Sequence, residues 1–97
     1  MAVAVLEYAE ALDRLGFVLL ASGQTAKAKD RYELAIRLAE PVVQQSPKNA
    51  EPSLVLVSSL RGYGLTLRYT GEFARAAAEF RRALVLCEEL GKRPLCL

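Results

Sequence analysis

Two arginines and a tyrosine near the middle of the chain form its clearest candidate for binding chemistry. Four residues follow one another at i, i+4, i+7 and i+8 and so share one side of a helix: Arg61, Leu65, Arg68 and Tyr69. A guanidinium group binds a carboxylate through two parallel hydrogen bonds, and an aromatic ring beside it adds apolar contact area. This side of the helix can therefore take an acidic peptide or a C-terminal carboxylate. The alternative is that both arginines are solvated.

Side chains that support catalysis are scarce. The chain has no histidine, which removes Ser-His-Asp and Cys-His mechanisms and every zinc site that includes histidine. Cys87 and Cys96 lack a histidine partner and make a poor metal site. Gly62-Tyr63-Gly64 imitates half of a phosphate-binding G-x-G-x-x-G, but no strand precedes it, so close helix packing is the better interpretation. The sequence predicts a protein that is not an enzyme and needs no metal or cofactor.

Composition and charge fit a single helical domain. Of the 97 residues 53% are apolar, and 13 basic and 11 acidic side chains give a net charge of +2. The two signs are interspersed, which favours an evenly solvated surface over a nucleic-acid-binding patch. The uncharged stretch around residues 15–27 is too short to span a membrane, and the N-terminus lacks the basic segment of a signal peptide. We expect a cytoplasmic protein with reduced cysteines, in which Cys87 fills a buried position.

Two stretches of the chain, residues 12–36 and residues 60–84, repeat each other 48 positions apart. The matched pairs are Gly16 and Gly64, Gly23 and Gly71, Ala28 and Ala76, Tyr32 and Phe80, Ala35 and Ala83, and Ile36 and Leu84. Small residues at matched offsets are typical of stacked helical repeats, in which each unit covers the apolar face of its neighbour. We expect one domain over residues 1–97, with repeats at about residues 5–45 and 53–90 and a tail over residues 91–97.

Apolar periodicity predicts an all-α fold of four helices, at about residues 2–21, 24–45, 52–70 and 72–90. Gly23 and Gly71 divide these helices into two antiparallel hairpins, stacked as a short solenoid. Pro41 either ends the second helix or kinks it, and the stripe that resumes at Val42 favours the kink. The outer helices are expected to bury Val5, Ala9, Leu12, Leu15, Gly16 and Leu19 in the first, and Phe73, Ala76, Ala77, Phe80, Ala83, Leu84 and Cys87 in the last.

The repeat resembles the tetratricopeptide repeat (TPR). That family places Leu-Gly in helix A, Gly-[Asp/Glu]-[Tyr/Phe] between the helices, and an alanine, an aromatic residue and Ala-Leu in helix B. The second unit matches with Tyr63-Gly64, Gly71-Glu72-Phe73, Ala76, Phe80 and Ala83-Leu84. The first matches with Leu15-Gly16, Gly23, Ala28, Tyr32 and Ala35-Ile36.

The match has departures. Leu12 and Leu60 replace the aromatic residue of helix A, Thr25 replaces the one after Gly23, and glutamates replace the proline that closes helix B. The period is 48 residues instead of the family's roughly 34. Long-period units of this kind are similar to those of bacterial regulatory proteins and of arrays appended to bacterial Ser/Thr kinases. On that resemblance the chain would be a fragment of a longer array.

The resemblance implies a non-enzymatic module that binds a peptide or a segment of a partner protein on the concave face of the A helices. Carried over by position, that face consists of Asp13, Phe17, Leu20, Ser58, Arg61, Leu65, Arg68 and Tyr69. Asp13 and Phe17 stand where the family's carboxylate clamp has lysine and asparagine, so a chaperone-tail clamp is not expected. The alternative for Phe17 and Leu20 is packing against a further helix.

Self-assembly is the second hypothesis. Two repeats leave both ends of a solenoid uncovered, and exposed apolar patches usually mark a contact. The terminal helices have more apolar residues than one buried stripe can hold, and we expect six of them to remain exposed: Val3, Leu6, Phe17, Val85, Leu86 and Leu90. The sequence therefore predicts a homodimer, formed through the terminal helices or by exchange of hairpins about Pro41. Neither a nucleic acid nor a membrane is expected as a partner.

Overall fold

The computed structural model describes residues 2–91, which form four α-helices and no strand. Helix α1 spans Ala2–Ala21, α2 spans Thr25–Gln45, α3 spans Ala50–Tyr69 and α4 spans Phe73–Glu89. Helices α1 and α2 pack together as hairpin 1, and α3 and α4 pack together as hairpin 2. Helix α3 also packs against both helices of hairpin 1. The predicted all-α class with two packed hairpins is confirmed.

The two hairpin turns have the same conformation. Gly23 and Gly71 both have a φ angle of 83°. In the first turn the amides of Gly23 and Gln24 donate to the carbonyls of Leu20 and Leu19, at 3.1 and 2.8 Å, and the equivalent bonds of the second turn measure 3.1 and 2.9 Å. This pair of bonds ends a helix and requires a left-handed residue, which glycine provides without strain. The two glycines therefore set both turns, as their spacing predicts.

The ends of the inner helices depend on a proline and an asparagine. Helix α2 continues through Pro41 to Gln45, as predicted, and Val42 beyond the proline is buried. Helix α3 begins at Ala50, two residues earlier than predicted, because the side chain of Asn49 caps it. The Oδ1 atom of Asn49 accepts a hydrogen bond from the amide of Glu51 at 3.2 Å. Asparagine is among the favoured N-cap residues, so this signal was present in the sequence.

Tyr32 is the side chain that joins three helices. Its ring lies against Gly16 of α1 and Gly62 of α3, and a Cβ atom at those positions would lie 2.9 Å and 2.3 Å from the ring. In hairpin 2, Phe80 packs in the same way on Gly64, where a Cβ atom would lie 2.8 Å from its ring. Each of these approaches is too close for any residue with a Cβ atom. Close packing therefore explains the Gly62-Tyr63-Gly64 segment.

Residues predicted to be buried are exposed where they lie on the outer sides of the stack. Leu15 is 43% exposed and Phe73 is 67% exposed, and Ala77 is exposed as well. One repeat after Leu15 stands Tyr63, which is only 4% exposed because hairpin 1 covers it. Within residues 2–91, no helix precedes α1 or follows α4, so these outer faces have no neighbour to pack against.

Of the six residues predicted to remain exposed in the terminal helices, some are exposed and others are partly or fully buried. Val3, Phe17 and Val85 are exposed. Leu6 is only 9% exposed and belongs to the core, so its prediction was wrong. It lies one helical turn before Ala9, on the face of α1 that packs against the other helices. Leu86 and Leu90 are half-buried.

Enlarging the packing alanines is expected to destabilise the fold. Ala28 is completely buried and Ala76 is 3% exposed. Ala28→Leu or Ala76→Leu should lower the free energy of unfolding by about 1–3 kcal/mol, because the added carbons must force two helices apart. Urea denaturation followed by circular dichroism measures this, with the exposed sites Ala26→Leu and Ala74→Leu as matched controls. Equal stability of all four variants would show that the predicted repeat register is wrong.

Candidate functional site

A groove lies between α1 and α3, on the face that the sequence predicts to bind a partner. Its apolar part encloses about 400 Å³ and is lined by Phe17, Leu20, Ala21, Gly23, Thr25, Leu65 and Tyr69. Phe17 and Tyr69 are 65% and 69% exposed, whereas Leu20 and Leu65 are half-buried. The aromatic rings of Phe17 and Tyr69 are therefore largely exposed to solvent, and the aliphatic side chains of Leu20 and Leu65 form the partly buried base of the groove.

The groove continues into a second part of about 380 Å³, which we call the polar part because charged side chains line it, although most of its wall is apolar. Phe17 and Leu65 line both parts, which makes the groove continuous. The polar part adds charged and hydroxyl groups from both helices, namely Asp13, Arg14, Ser58 and Arg61. Both parts of the groove thus have mainly apolar walls, and the second part adds charged groups that can form hydrogen bonds.

Asp13 holds α1 to α3 at the base of the polar part. Its Oδ2 atom accepts a hydrogen bond from the hydroxyl of Ser58 at 2.8 Å, and its Oδ1 atom accepts one from Ser59 at 3.1 Å. Burial raises the pKa of Asp13 above its ordinary value, and the two serine hydroxyls partly oppose this by stabilising the carboxylate. Because both carboxylate oxygens already have partners, Asp13 positions the two helices.

The structure brings most of the predicted binding residues together. Seven of them line the groove: Asp13, Phe17, Leu20, Ser58, Arg61, Leu65 and Tyr69. Arg68 is exposed and lines neither part. Sequence reasoning missed Arg14, about one helical turn before Phe17, and Val18, the residue after Phe17, which also line the polar part. Arg14 could have been found from its i, i+3 spacing to Phe17, and Val18 from its i, i+4 spacing to Arg14.

A second cleft, between α2 and α4, carries charge that is largely paired. Glu33 accepts a hydrogen bond from the hydroxyl of Tyr63 at 2.7 Å, and Arg82 pairs with Glu40. The guanidinium group of Arg75 lies 5.4 Å from the centre of the Tyr63 ring, within the range of a cation–π contact. The polar groups of the cleft thus bind one another across the two hairpins, and we assign the cleft a structural role.

Comparisons of the chain with protein-family models, with curated proteins and with solved structures found no match. Within residues 2–91, histidine, cysteine and acidic side chains do not gather into a group that could hold a metal ion. Over the same range, none of the helices combines the length and apolarity needed to cross a membrane. Cys87 is a buried thiol, as predicted, and Cys96 lies outside the described residues.

Two tyrosines are expected to resist ionisation until the protein unfolds in alkali. Burial raises the pKa of Tyr32 to about 12, and burial together with the hydrogen bond to Glu33 raises the pKa of Tyr63 to about 12. Both values exceed the ordinary 10.0, so the folded state retains these protons more tightly than the unfolded state. The stability that they contribute is complete below pH 10 and is lost as the pH rises through about 12.

Phenolate absorbance and circular dichroism, recorded in one titration, measure this behaviour. Two of the four tyrosines should ionise only as the helical signal disappears, and Tyr63→Phe should remove one of these late ionisations. Ionisation of all four tyrosines while the helices are intact would contradict the prediction.

Proposed function

We propose that the protein is a non-enzymatic protein-interaction module of the TPR type, which binds a segment of a partner protein in the groove between α1 and α3. One observation carries the proposal: Phe17 and Tyr69, each about two-thirds exposed, flank a groove with Leu20 and Leu65 at its base. Large aromatic side chains are costly to leave in water. They are also the residues that most often dominate the energetics of protein interfaces.

The two parts of the groove suit different parts of one peptide. An aliphatic or aromatic side chain fits the apolar part, where it would cover Phe17, Leu65 and Tyr69. A carboxylate fits the polar part, whose lining includes the planar guanidinium groups of Arg14 and Arg61. Asp13 has the same charge as such a ligand, so the bound carboxylate must lie on the side of the arginines and away from Asp13. We therefore propose a peptide with an apolar anchor and an acidic residue.

Packing supports the TPR type. The family's pattern places a glycine in helix A opposite an aromatic residue in helix B, and here Gly16 packs on Tyr32 and Gly64 packs on Phe80. Helix α3 lies against both helices of the preceding hairpin, as successive units of a helical repeat do. We place the protein in the cytoplasm, where the buried thiol of Cys87 suits a reducing compartment.

A phage-displayed library of random peptides tests the proposal. We expect the protein to enrich peptides that combine an apolar residue with aspartate or glutamate. Fluorescence polarisation then measures binding of one enriched peptide to the wild-type protein and to Phe17→Ala and Tyr69→Ala. Each substitution should weaken binding about tenfold or more, as is usual when an aromatic anchor of an interface is truncated.

Phe73→Ala is the matched control, because Phe73 is 67% exposed but lies on α4, outside the groove. It should leave binding unchanged. A peptide variant with amides in place of its carboxylates should bind more weakly and lose most of its salt dependence. The proposal is wrong if no peptide is enriched, or if Phe17→Ala and Tyr69→Ala bind as tightly as Phe73→Ala does.

A further inference from the structure

Helix α1 carries an uncovered row of apolar side chains, of which only the last, Val18, also lines the groove. This row, the α1 stripe, consists of Ala4, Tyr8, Ala11, Leu15 and Val18. Tyr8, Leu15 and Val18 are 55%, 43% and 59% exposed, and both alanines are exposed. The intervals alternate between four and three residues, which is the spacing that holds two helices in contact over several turns. Tyr8 and Leu15 line neither part of the groove.

The internal repeat shows that the equivalent row in α3 is buried against a neighbouring hairpin. The residues 48 positions later in α3 are Pro52, Leu56, Ser59, Tyr63 and Thr66, and all five are buried. Hairpin 1 covers them, because α3 packs against α1 and α2. The row is thus a packing face in hairpin 2, and its counterpart in α1 has the same spacing but no cover among the described residues.

A hairpin of another copy cannot cover the α1 stripe in the way that hairpin 1 covers α3. That arrangement needs Gly62, where a Cβ atom would lie 2.3 Å from the ring of Tyr32. One repeat earlier the chain has Arg14, whose side chain would collide with the equivalent aromatic ring, Phe80 of the other copy. Head-to-tail stacking in the native geometry is therefore blocked, and a covering helix must lie across the stripe differently.

We propose that α1 of a second copy covers the α1 stripe, with the two helices antiparallel and a two-fold axis near Ala11. About that axis Ala11 meets Ala11 of the second copy, and Ala4 lies beside Val18 of the second copy. Tyr8 lies beside Leu15 of the second copy. Every residue of the stripe thus has an apolar partner in the second copy, and the surface is matched to itself, as an interface between two identical subunits requires.

The charges beside the stripe select the antiparallel orientation. Glu7 and Arg14 are one heptad apart and border the stripe on the same side. In the antiparallel pair Glu7 faces Arg14 of the second copy, and the symmetry makes this contact twice. A parallel pair would instead place Glu7 and Arg14 beside Leu12 and Leu19 of the second copy, so neither charge would meet an opposite one. The dimer leaves the apolar part of the groove open, since no residue of the stripe lines it, and it borders the polar part, which Arg14 and Val18 line.

Light scattering behind a sizing column tests the dimer, at about 100 μM and after about tenfold dilution, since association depends on concentration. We expect a mass of two chains at the higher concentration. Leu15→Glu and Tyr8→Glu should yield single chains at both concentrations, with unchanged helical dichroism. Val85→Glu, at a site 47% exposed on α4, is the matched control and should remain a dimer.

Charge exchange tests the orientation. Glu7→Arg alone and Arg14→Glu alone should each raise the dissociation constant of the dimer about tenfold, because both symmetric pairs become repulsive. The double variant Glu7→Arg with Arg14→Glu should restore the wild-type value. Single chains at both concentrations, a Leu15→Glu variant that still dimerises, or a double variant as weak as the single ones would each overturn the proposal. Growth beyond two chains would indicate head-to-tail stacking and overturn it as well.

Discussion

Replacing Gly62 by leucine is expected to lower the free energy of unfolding by about 3 kcal/mol or more, the upper end of the usual cost of overpacking. A Cβ atom alone would lie 2.3 Å from the Tyr32 ring, and that ring is only 2% exposed and also lies against Gly16. The tyrosine therefore cannot turn aside without opening hairpin 1. Since a domain is usually stable by only about 5–15 kcal/mol, this loss would bring the variant close to unfolding.

Urea denaturation measures the effect, and a double-mutant cycle identifies its cause. Gly62→Ala should also destabilise the protein, although alanine favours a helix over glycine by about 1 kcal/mol. In a Tyr32→Leu background the cost of Gly62→Ala should shrink, because the ring that it meets is gone. If Gly62→Ala lowered the free energy of unfolding equally in both backgrounds, the ring of Tyr32 would not be the obstacle.

Truncating Leu60 to alanine is expected to cost about 2–5 kcal/mol, the range for a large core side chain replaced by alanine. Leu60 has no exposed surface and is among the largest fully buried side chains. It lies on α3, the one helix that packs against all three others within residues 2–91. The cavity would therefore open where both hairpins meet and where the chain has least freedom to relax.

Leu54→Ala is the matched control for this truncation. Leu54 lies on the same helix but is 38% exposed, so its loss should change stability by only about 0.5 kcal/mol. Thermal and urea unfolding curves of the two variants should differ clearly. Similar curves would show that α3 does not form the centre of the core.

The helices and their turns follow from local signals, and these could be predicted from the sequence. Gly23 and Gly71 determine the hairpin turns through φ angles that other residues resist. The start of α3 is an exception, because Pro52 predicts a start at residue 52 whereas the cap residue Asn49 sets it at Ala50. A proline in the first turn of a helix costs nothing, since its missing amide hydrogen would have no partner there.

Burial at the two ends of the stack could not be predicted, because it depends on neighbours and not on the residues themselves. Leu15 and Tyr63 occupy the same place in the repeat, yet one is exposed and the other is covered by hairpin 1. More of the residues that line the groove could be predicted, since Phe17 and Tyr69 follow from their positions in the repeat. The role of Asp13 in holding α1 to α3 could not be predicted, because its hydrogen bonds to Ser58 and Ser59 join residues far apart in the chain.

The short turns at Gly23 and Gly71 also bear on how the chain folds. Only residues 22–24 and residues 70–72 separate the helices of each hairpin, so their helices meet without closing a long loop. The entropy lost on loop closure rises with loop length, and chains whose contacts are close in sequence fold in microseconds to milliseconds. We expect each hairpin to form quickly and independently, and the docking of α3 onto hairpin 1 to set the rate at which the native protein appears.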